Sequence, residues 1–176
     1  MSAAKQKSFD VLIEIPKGSR NKYEYDFKLR KIRYDRMLFS SMMYPADYGF
    51  IPETLALDGD PLDVLVLVTE PTFPGCVMEV KPIGVFHMAD EKGPDEKIIC
   101  VPVSDPIWNK LNDLTDMNPH LLKEIEHFFQ VYKDLEQKKV DVEGWGDVNE
   151  AKEIIEQCVD RFESLENRPE ELFSIR

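Results

Sequence analysis

Three aspartates fall within six residues at Asp58-Gly59-Asp60-Pro61-Leu62-Asp63, and the apolar run Val64-Leu65-Val66-Leu67-Val68 follows at once. The run reads as a buried strand, which puts the carboxylates at its entrance, on a segment loosened by Gly59 and stiffened by Pro61. Two carboxylates ~4 Å apart repel by about 4 kcal/mol at an effective dielectric of ~20. Crowding of this kind calls for cations, or for one group to stay protonated. Clustered hard oxygens suit Mg²⁺, Mn²⁺ or Ca²⁺. A polar turn before a strand would account for Asp-Gly-Asp alone. The third aspartate and a second acidic cluster argue against that reading.

The second cluster is Asp90-Glu91-Lys92-Gly93-Pro94-Asp95-Glu96-Lys97, between two expected strands. Taken singly it is an ordinary solvated loop. It carries chemistry only if it meets the first cluster across the mouth of a fold, where five aspartates would converge on several divalent ions. A third group is cationic and phenolic: Lys22, Arg36, Tyr44, Tyr48, Lys97, Tyr132 and Lys133. Individually Lys22 and Arg36 read as cross-strand partners of Glu24 and Asp35, and Tyr132 as a core tyrosine beside a surface lysine. Beside metal-binding carboxylates they suit a phosphorylated substrate. Arginine offers a planar fork to phosphate oxygens, lysine a point charge and tyrosine a neutral donor.

The elements that must position these groups are strand-like first and helical last. Val11–Ile15, Lys22–Phe27, Lys31–Arg36, Asp63–Val68, Cys76–His87 and Lys97–Val103 are predicted strands. The second and third are expected to form a hairpin, and the long fifth to bend at Pro82 or Gly84. Residues 44–52 read as loop. Frequent Pro and Gly between short strands suggest a small closed barrel. Asn118-Pro119 caps a helix whose apolar stripe runs Leu121, Leu122, Ile125, Phe128, Phe129, Tyr132, Leu135. A second helix is expected from about Asp147 to Leu165, with Ala151, Ile154, Ile155, Cys158, Val159 and Phe162 inward. Residues 140–145 read as a short extended piece. The result is one α+β domain over 1–176, with residues 1–8 and 166–176 expected to be loose.

The chain has 176 residues, 43% of them hydrophobic, and a net charge of −12. That charge disfavours nucleic acid and anionic membranes, which need basic surface, but not a small anion held through metal ions. No run approaches ~20 apolar residues, and the start lacks a secretory apolar core. Cys76, Cys100 and Cys158 read as reduced thiols, so a cytoplasmic protein is expected. Asp58-Gly59-Asp60 begins like an EF-hand loop, but Leu62 and Asp63 break that pattern. A phosphate-cradling Gly-rich loop, a nucleophile elbow and zinc-type histidine spacing are absent. His127, on a helix, reads as a packing or interface residue.

Taken together these blocks resemble the family I soluble inorganic pyrophosphatases of the short bacterial type. The run Asp58 to Val64 matches the family's hallmark. Ile13-Glu14-Ile15-Pro16, Lys22-Tyr23-Glu24, Asp35-Arg36, Tyr44 to Gly49, Asp90-Glu91 through Asp95 to Lys97, His127-Phe128-Phe129 with Tyr132 to Glu136, and Val142 to Trp145 follow in family order, over residues 9 to 165. The resemblance implies an OB-like five-stranded closed β-barrel with two main C-terminal helices, and Mg²⁺-dependent hydrolysis of pyrophosphate to two orthophosphates by direct attack of water. Mn²⁺ or Zn²⁺ would substitute and Ca²⁺ would inhibit. It implies that Asp58, Asp63 and Asp95 hold the tighter metal, with Asp63 bridging to a second. Asp90 and Asp95 would bind a further ion arriving with substrate, and Glu14 and Glu24 would act through water. Asp60 would be the general base. Lys22, Arg36, Tyr48, Lys97, Tyr132 and Lys133 would hold the phosphates, supported by Tyr44 and Glu91. The recognised partner would be the metal–pyrophosphate complex, which reconciles an acidic protein with an anionic substrate. A homo-oligomer, a hexamer, is implied too, although Val131 stands where bacterial members often carry an interface histidine.

Two other classes fit parts of the pattern. A glycosyltransferase can hold Mn²⁺ at a diphosphate with Asp-x-Asp, but needs a nucleotide-binding α/β domain for which this chain is too short and too strand-rich. A non-catalytic divalent-cation-binding barrel module would bind ions and release no phosphate. A single-stranded nucleic-acid binder would need the basic and aromatic platforms absent here.

Overall fold

The computed structural model describes residues 8–165 and 174–175; the ends expected to be loose lie, apart from Ser8 and residues 174–175, outside them. Nine strands and two helices follow in the order β1 Phe9–Ile15, β2 Asn21–Asp26, β3 Lys31–Met37, β4 Asp47–Phe50, β5 Asp63–Val66, β6 Val77–Asp90, β7 Gly93–Pro94, β8 Lys97–Pro102, α1 Pro119–Val131, β9 Asp141–Gly146 and α2 Val148–Glu163. β2 and β3 form their own hairpin sheet. In the larger mixed sheet β1 pairs β4, β4 pairs β5, β5 pairs β8, β8 pairs β6, and β6 pairs β1 again. Five strands thus make a ring, all antiparallel except β5 beside β8.

The uninterrupted apolar run of β5 has a packing cause. Val64 and Val66 enter one cluster with Val11, Ile13, Val80, Val85 and Ile98, while Leu65 enters another with Ile15, Leu38, Ile83, Phe86 and Ile99. A strand buried on both faces cannot alternate apolar with polar. α1 closes the second cluster with Ile125, Phe128, Phe129 and the Tyr132 that follows it; α2 closes the first with Ala151 and Cys158. Full burial of one such large side chain contributes about 1.5–3 kcal/mol.

β6 bends where the sequence predicts, its register with β8 shifting between Pro82 and Gly84. The bend lets one strand serve β1 at its start, β8 in the middle, and β9 and β7 at its end. Gly84 is required there: a Cβ would sit 2.3 Å from Leu114 Cγ. Two expectations fail. Residues 47–50 are not loop but β4, the strand that links β1 to β5. Its composition hides it, because Gly49 is needed for close approach; a Cβ there would lie 1.9 Å from the Leu12 carbonyl oxygen. The first helix ends at Val131, short of Leu135, whose side chain is exposed. A separate single turn at Asp134–Glu136 carries Leu135 outward.

Candidate active site

The loop before β5 is held from both ends. Ile51 N–H donates to the Leu62 carbonyl (2.9 Å), and Ala56 N–H to the Asp60 carbonyl (2.8 Å). The buried Thr54 hydroxyl accepts from Leu62 N–H (2.9 Å) and donates to the Ile51 carbonyl (2.6 Å). From the other side, Leu55 N–H donates to the Cys158 carbonyl of α2, and Arg161 Nε donates back to the Leu55 carbonyl, both at 2.9 Å. Gly59, at φ +90°, turns the tip, and Asp60 N–H donates to Asp58 Oδ1 (3.1 Å). Asp58 and Asp60 are thereby presented outward, while buried Leu62 anchors the base.

The second acidic loop is the hairpin joining β6 to β7. Asp90 lies opposite Gly93, which has φ +118°. Lys92 N–H donates to Asp90 Oδ1 (2.8 Å) and Asp95 N–H to the Met88 carbonyl (2.8 Å). The pairing of β5 with β8 sets Asp63 beside Lys97, so the two acidic clusters do meet. Lys97 Nζ donates to Asp63 Oδ2 (2.5 Å), to Asp95 Oδ1 (2.5 Å) and to Tyr48 Oη (3.1 Å). Tyr48 Oη donates to the same Asp63 oxygen (2.5 Å).

The Lys97 side chain is 2% exposed. Burial by itself would lower its pKa, but the charges of Asp63 and Asp95 outweigh that and hold the ammonium well above the ordinary lysine range. Burial raises the pKa of Asp95, with the charge of Asp63 adding and Lys97 opposing. Burial also raises Asp58, and the charges of Asp60, Asp63 and Asp95 raise it further. Asp58 and Asp95 therefore share one electrostatic neighbourhood. Glu14, at a register shift in β1, accepts from Tyr25 N–H (2.7 Å). Its pKa is pushed up to about 8, first by burial and then by Asp63 and Glu24, against Tyr25 N–H and Lys22.

The remaining candidates adjoin this centre. Lys22 Nζ contacts Glu24, and Asp35 across the hairpin at 3.1 Å. Arg36 reaches Asp35 (2.5 Å) and, 100 residues on, Glu136 (2.9 Å). Lys133 Nζ donates to Asp90 (3.0 Å), and Lys138 lies 3.6 Å from Glu91. The Tyr44 ring packs on Tyr48 and Phe128, and Tyr132 stacks on Phe128. Burial first of all raises the pKa of Tyr44, Tyr48 and Tyr132, which keeps these phenols neutral donors. The Tyr44 hydroxyl feels the charges of Tyr132, Lys97, Arg36 and Asp63, which links Arg36 to the same centre.

Among the described residues, no three His, Cys, Asp or Glu side chains stand close enough to ligate one ion together. Of the expected set Asp58, Asp63 and Asp95, the last two accept from the Lys97 ammonium. The donor set nevertheless suits hard divalent cations. It consists of carboxylate oxygens, its aspartates outnumber the lysines that touch them, and Asp58 and Asp95 carry raised pKa values that a nearby cation would relieve.

Two residues escaped the sequence reading. Asp47 is fully buried and accepts from Lys17 N–H (2.7 Å), Thr72 N–H (3.1 Å) and the Thr72 hydroxyl (2.5 Å), fixing the start of β4 one residue before Tyr48. Lys92 spans from its loop to Asp60 at 3.4 Å. Its signal was a lone cation at the turn of an acidic hairpin.

Comparison with known proteins relates the chain to one family. The profile of a family described as "Inorganic pyrophosphatase" matches residues 11–163. An inorganic pyrophosphatase of Methanosarcina mazei is 60% identical over 152 residues, covering 86% of this chain and 90% of that protein. One from Halalkalibacterium halodurans is 51% identical over 160 residues, covering 91% and 98%. The solved structure of an inorganic pyrophosphatase from Coxiella burnetii superposes with a TM-score of 0.86 at 46% identity, covering 92% of this chain and 99% of that one.

Proposed function

This chain belongs to the inorganic pyrophosphatase family, and from that membership we propose how its side chains divide the work of hydrolysing pyrophosphate to two orthophosphates. The enzyme is a diphosphatase that uses a divalent metal, and Mg²⁺ is the ion we assign. Mn²⁺ or Zn²⁺ is expected to replace it and Ca²⁺ to inhibit. The observation that carries the assignment is the convergence of two acidic loops on one buried ammonium, with Asp63 and Asp95 each 2.5 Å from Lys97.

Asp58, Asp63 and Asp95 would hold the tighter ion, Asp90 and Asp95 a further one, and Glu14 and Glu24 would assist. Such ions neutralise the oxygens of pyrophosphate and bring the pKa of water toward neutrality. Asp60, at the exposed tip of its loop, takes the proton as the water oxygen attacks phosphorus and the bridging P–O bond breaks. No covalent intermediate is needed. Charge then gathers on the leaving phosphate, where Lys22, Arg36, Lys97 and Lys133 meet it, and part-buried Tyr48 and buried Tyr132 donate as neutral phenols. Tyr44 supports Tyr48 by ring contact, and Glu91 holds Lys138 at the rim.

We also read the ring of five strands as an OB-like closed barrel, since the ladder returns to its first strand, and the chain as one domain. No helix among the described residues is long and apolar enough to cross a membrane. A cytoplasmic hexamer without affinity for nucleic acid is our expectation, with Val131 the departure at the subunit contact. Phosphate release from pyrophosphate should require Mg²⁺ and vanish with EDTA. Release unaffected by the chelator would overturn the metal roles, and ion binding without any release would favour a cation-binding module.

A further inference from the structure

The two acidic loops are bridged twice. The inner bridge is Lys97, buried and bonded to Asp63 and Asp95. The outer one is Lys92, whose side chain is 63% exposed and lies 3.4 Å from an Asp60 that is 60% exposed. Lys92 touches the carboxylate set in two ways: its backbone N–H holds Asp90 Oδ1 at 2.8 Å, and its ammonium reaches Asp60 across 32 residues of sequence. It therefore places a positive charge beside the carboxylate read as the base, from a turn whose backbone holds one read as a ligand of a further ion. The charges of Asp60, Asp58 and Asp90 all favour its charged form.

We propose that Lys92 is an intrinsic counter-cation of the outer carboxylates: its charge, drawn to Asp60 from the turn that holds Asp90, opposes divalent ions at Asp58 and Asp90 and so sets how much metal the protein needs. This rests on the metal roles assigned above. Its sign follows from electrostatics alone: a positive charge beside a cation site weakens cation binding, and its removal tightens it. The pair is exposed, so the effect is modest and falls with ionic strength, because added salt shortens the Debye length, ~10 Å at 0.1 M and ~3 Å at 1 M, over which exposed charges act. Lys97 cannot play this part, since it is buried and held from both loops.

The test is calorimetric titration of the whole protein with Mn²⁺, and separately Mg²⁺, without pyrophosphate. Lys92→Gln should bind the ion about threefold more tightly than wild type, Lys92→Glu more tightly still, and Lys92→Arg as wild type does. The gap between Lys92→Gln and wild type should narrow as salt is raised. In an Asp60→Asn background the effect of Lys92→Gln should shrink, because Asp60 is the carboxylate that draws the Lys92 ammonium across to the first acidic loop. Equal or weaker binding by Lys92→Gln would overturn the proposal, as would an arginine variant that behaves like the glutamine one. If the protein binds neither ion, the assignment of the carboxylates as metal ligands fails instead, and phosphate release in the chelator experiment reports on that separately.

Discussion

Lys97 and Lys92 stand five residues apart and do the same thing, each tying one acidic loop to the other, yet in opposite surroundings. Lys97 is 2% exposed with two carboxylates at 2.5 Å; Lys92 is 63% exposed with one at 3.4 Å. An ammonium sealed from water needs its partners, since an uncompensated buried charge is expensive. An ammonium in water gains little from its partner and is screened by salt. The inner floor of the site is therefore structural and electrostatic at once. The outer rim holds exposed groups in loose contact, among them the Asp60 proposed as base. The division of work proposed above uses both, a floor that must not yield and a base that must.

The sharpest way to break this contrast is Lys97→Met. It strands Asp63 and Asp95 in the floor, so a loss of about 3–5 kcal/mol of stability is expected, with pyrophosphatase activity falling as well; denaturant unfolding reads the first. An unchanged midpoint would show that the floor does not depend on its ammonium. Next comes Asp60→Asn at the rim. Turnover should fall on the order of 10²–10⁴-fold while unfolding stays close to wild type, and phosphate release at wild-type rates would remove Asp60 from the role of base. Tyr48→Phe sharpens the floor: it deletes a donor to Asp63 and an acceptor of Lys97, and about 1–2 kcal/mol of stability should go with it. The smallest effect belongs to Lys92→Gln, whose unfolding free energy in metal-free buffer, read by denaturant titration, should match wild type within about 0.5 kcal/mol. A large loss there would mean that the rim is as structural as the floor.

Much of the fold was legible because the strands announce themselves. Val11–Ile15 and Lys97–Val103 are apolar enough to be buried, and the bend of β6 was visible in Pro82 and Gly84. β4 was not, since Asp47-Tyr48-Gly49-Phe50 carries no alternation and its glycine answers to the Leu12 carbonyl of another strand. The end of α1 is hidden in the sequence because Leu135 keeps helical spacing after the helix has stopped at Val131. The apolar stripe reports which residues tend to face inward, not where the backbone turns away. Among the candidate residues, Asp58, Asp60, Asp63, Asp90 and Asp95 drew notice as local crowding of like charge. Lys92 did not, because a lysine in an acidic hairpin reads as solvated until its partner is known.

Local order along the chain is enough to specify hard oxygen donors on two turns, a strand buried on both faces, and helices that close the core, because crowding and periodicity are properties of neighbours in sequence. Which ammonium meets which carboxylate is a property of neighbours in space. Asp63 finds Lys97 over 34 residues, Asp60 finds Lys92 over 32, and Asp90 finds Lys133 over 43. The parallel register of β5 against β8 and the hairpin between β6 and β7 brought the first two together. Burial then made one of those pairs a fixture and left the other open to exchange, since the strength of a charge depends on how much water surrounds it, and no stretch of chain carries that information alone.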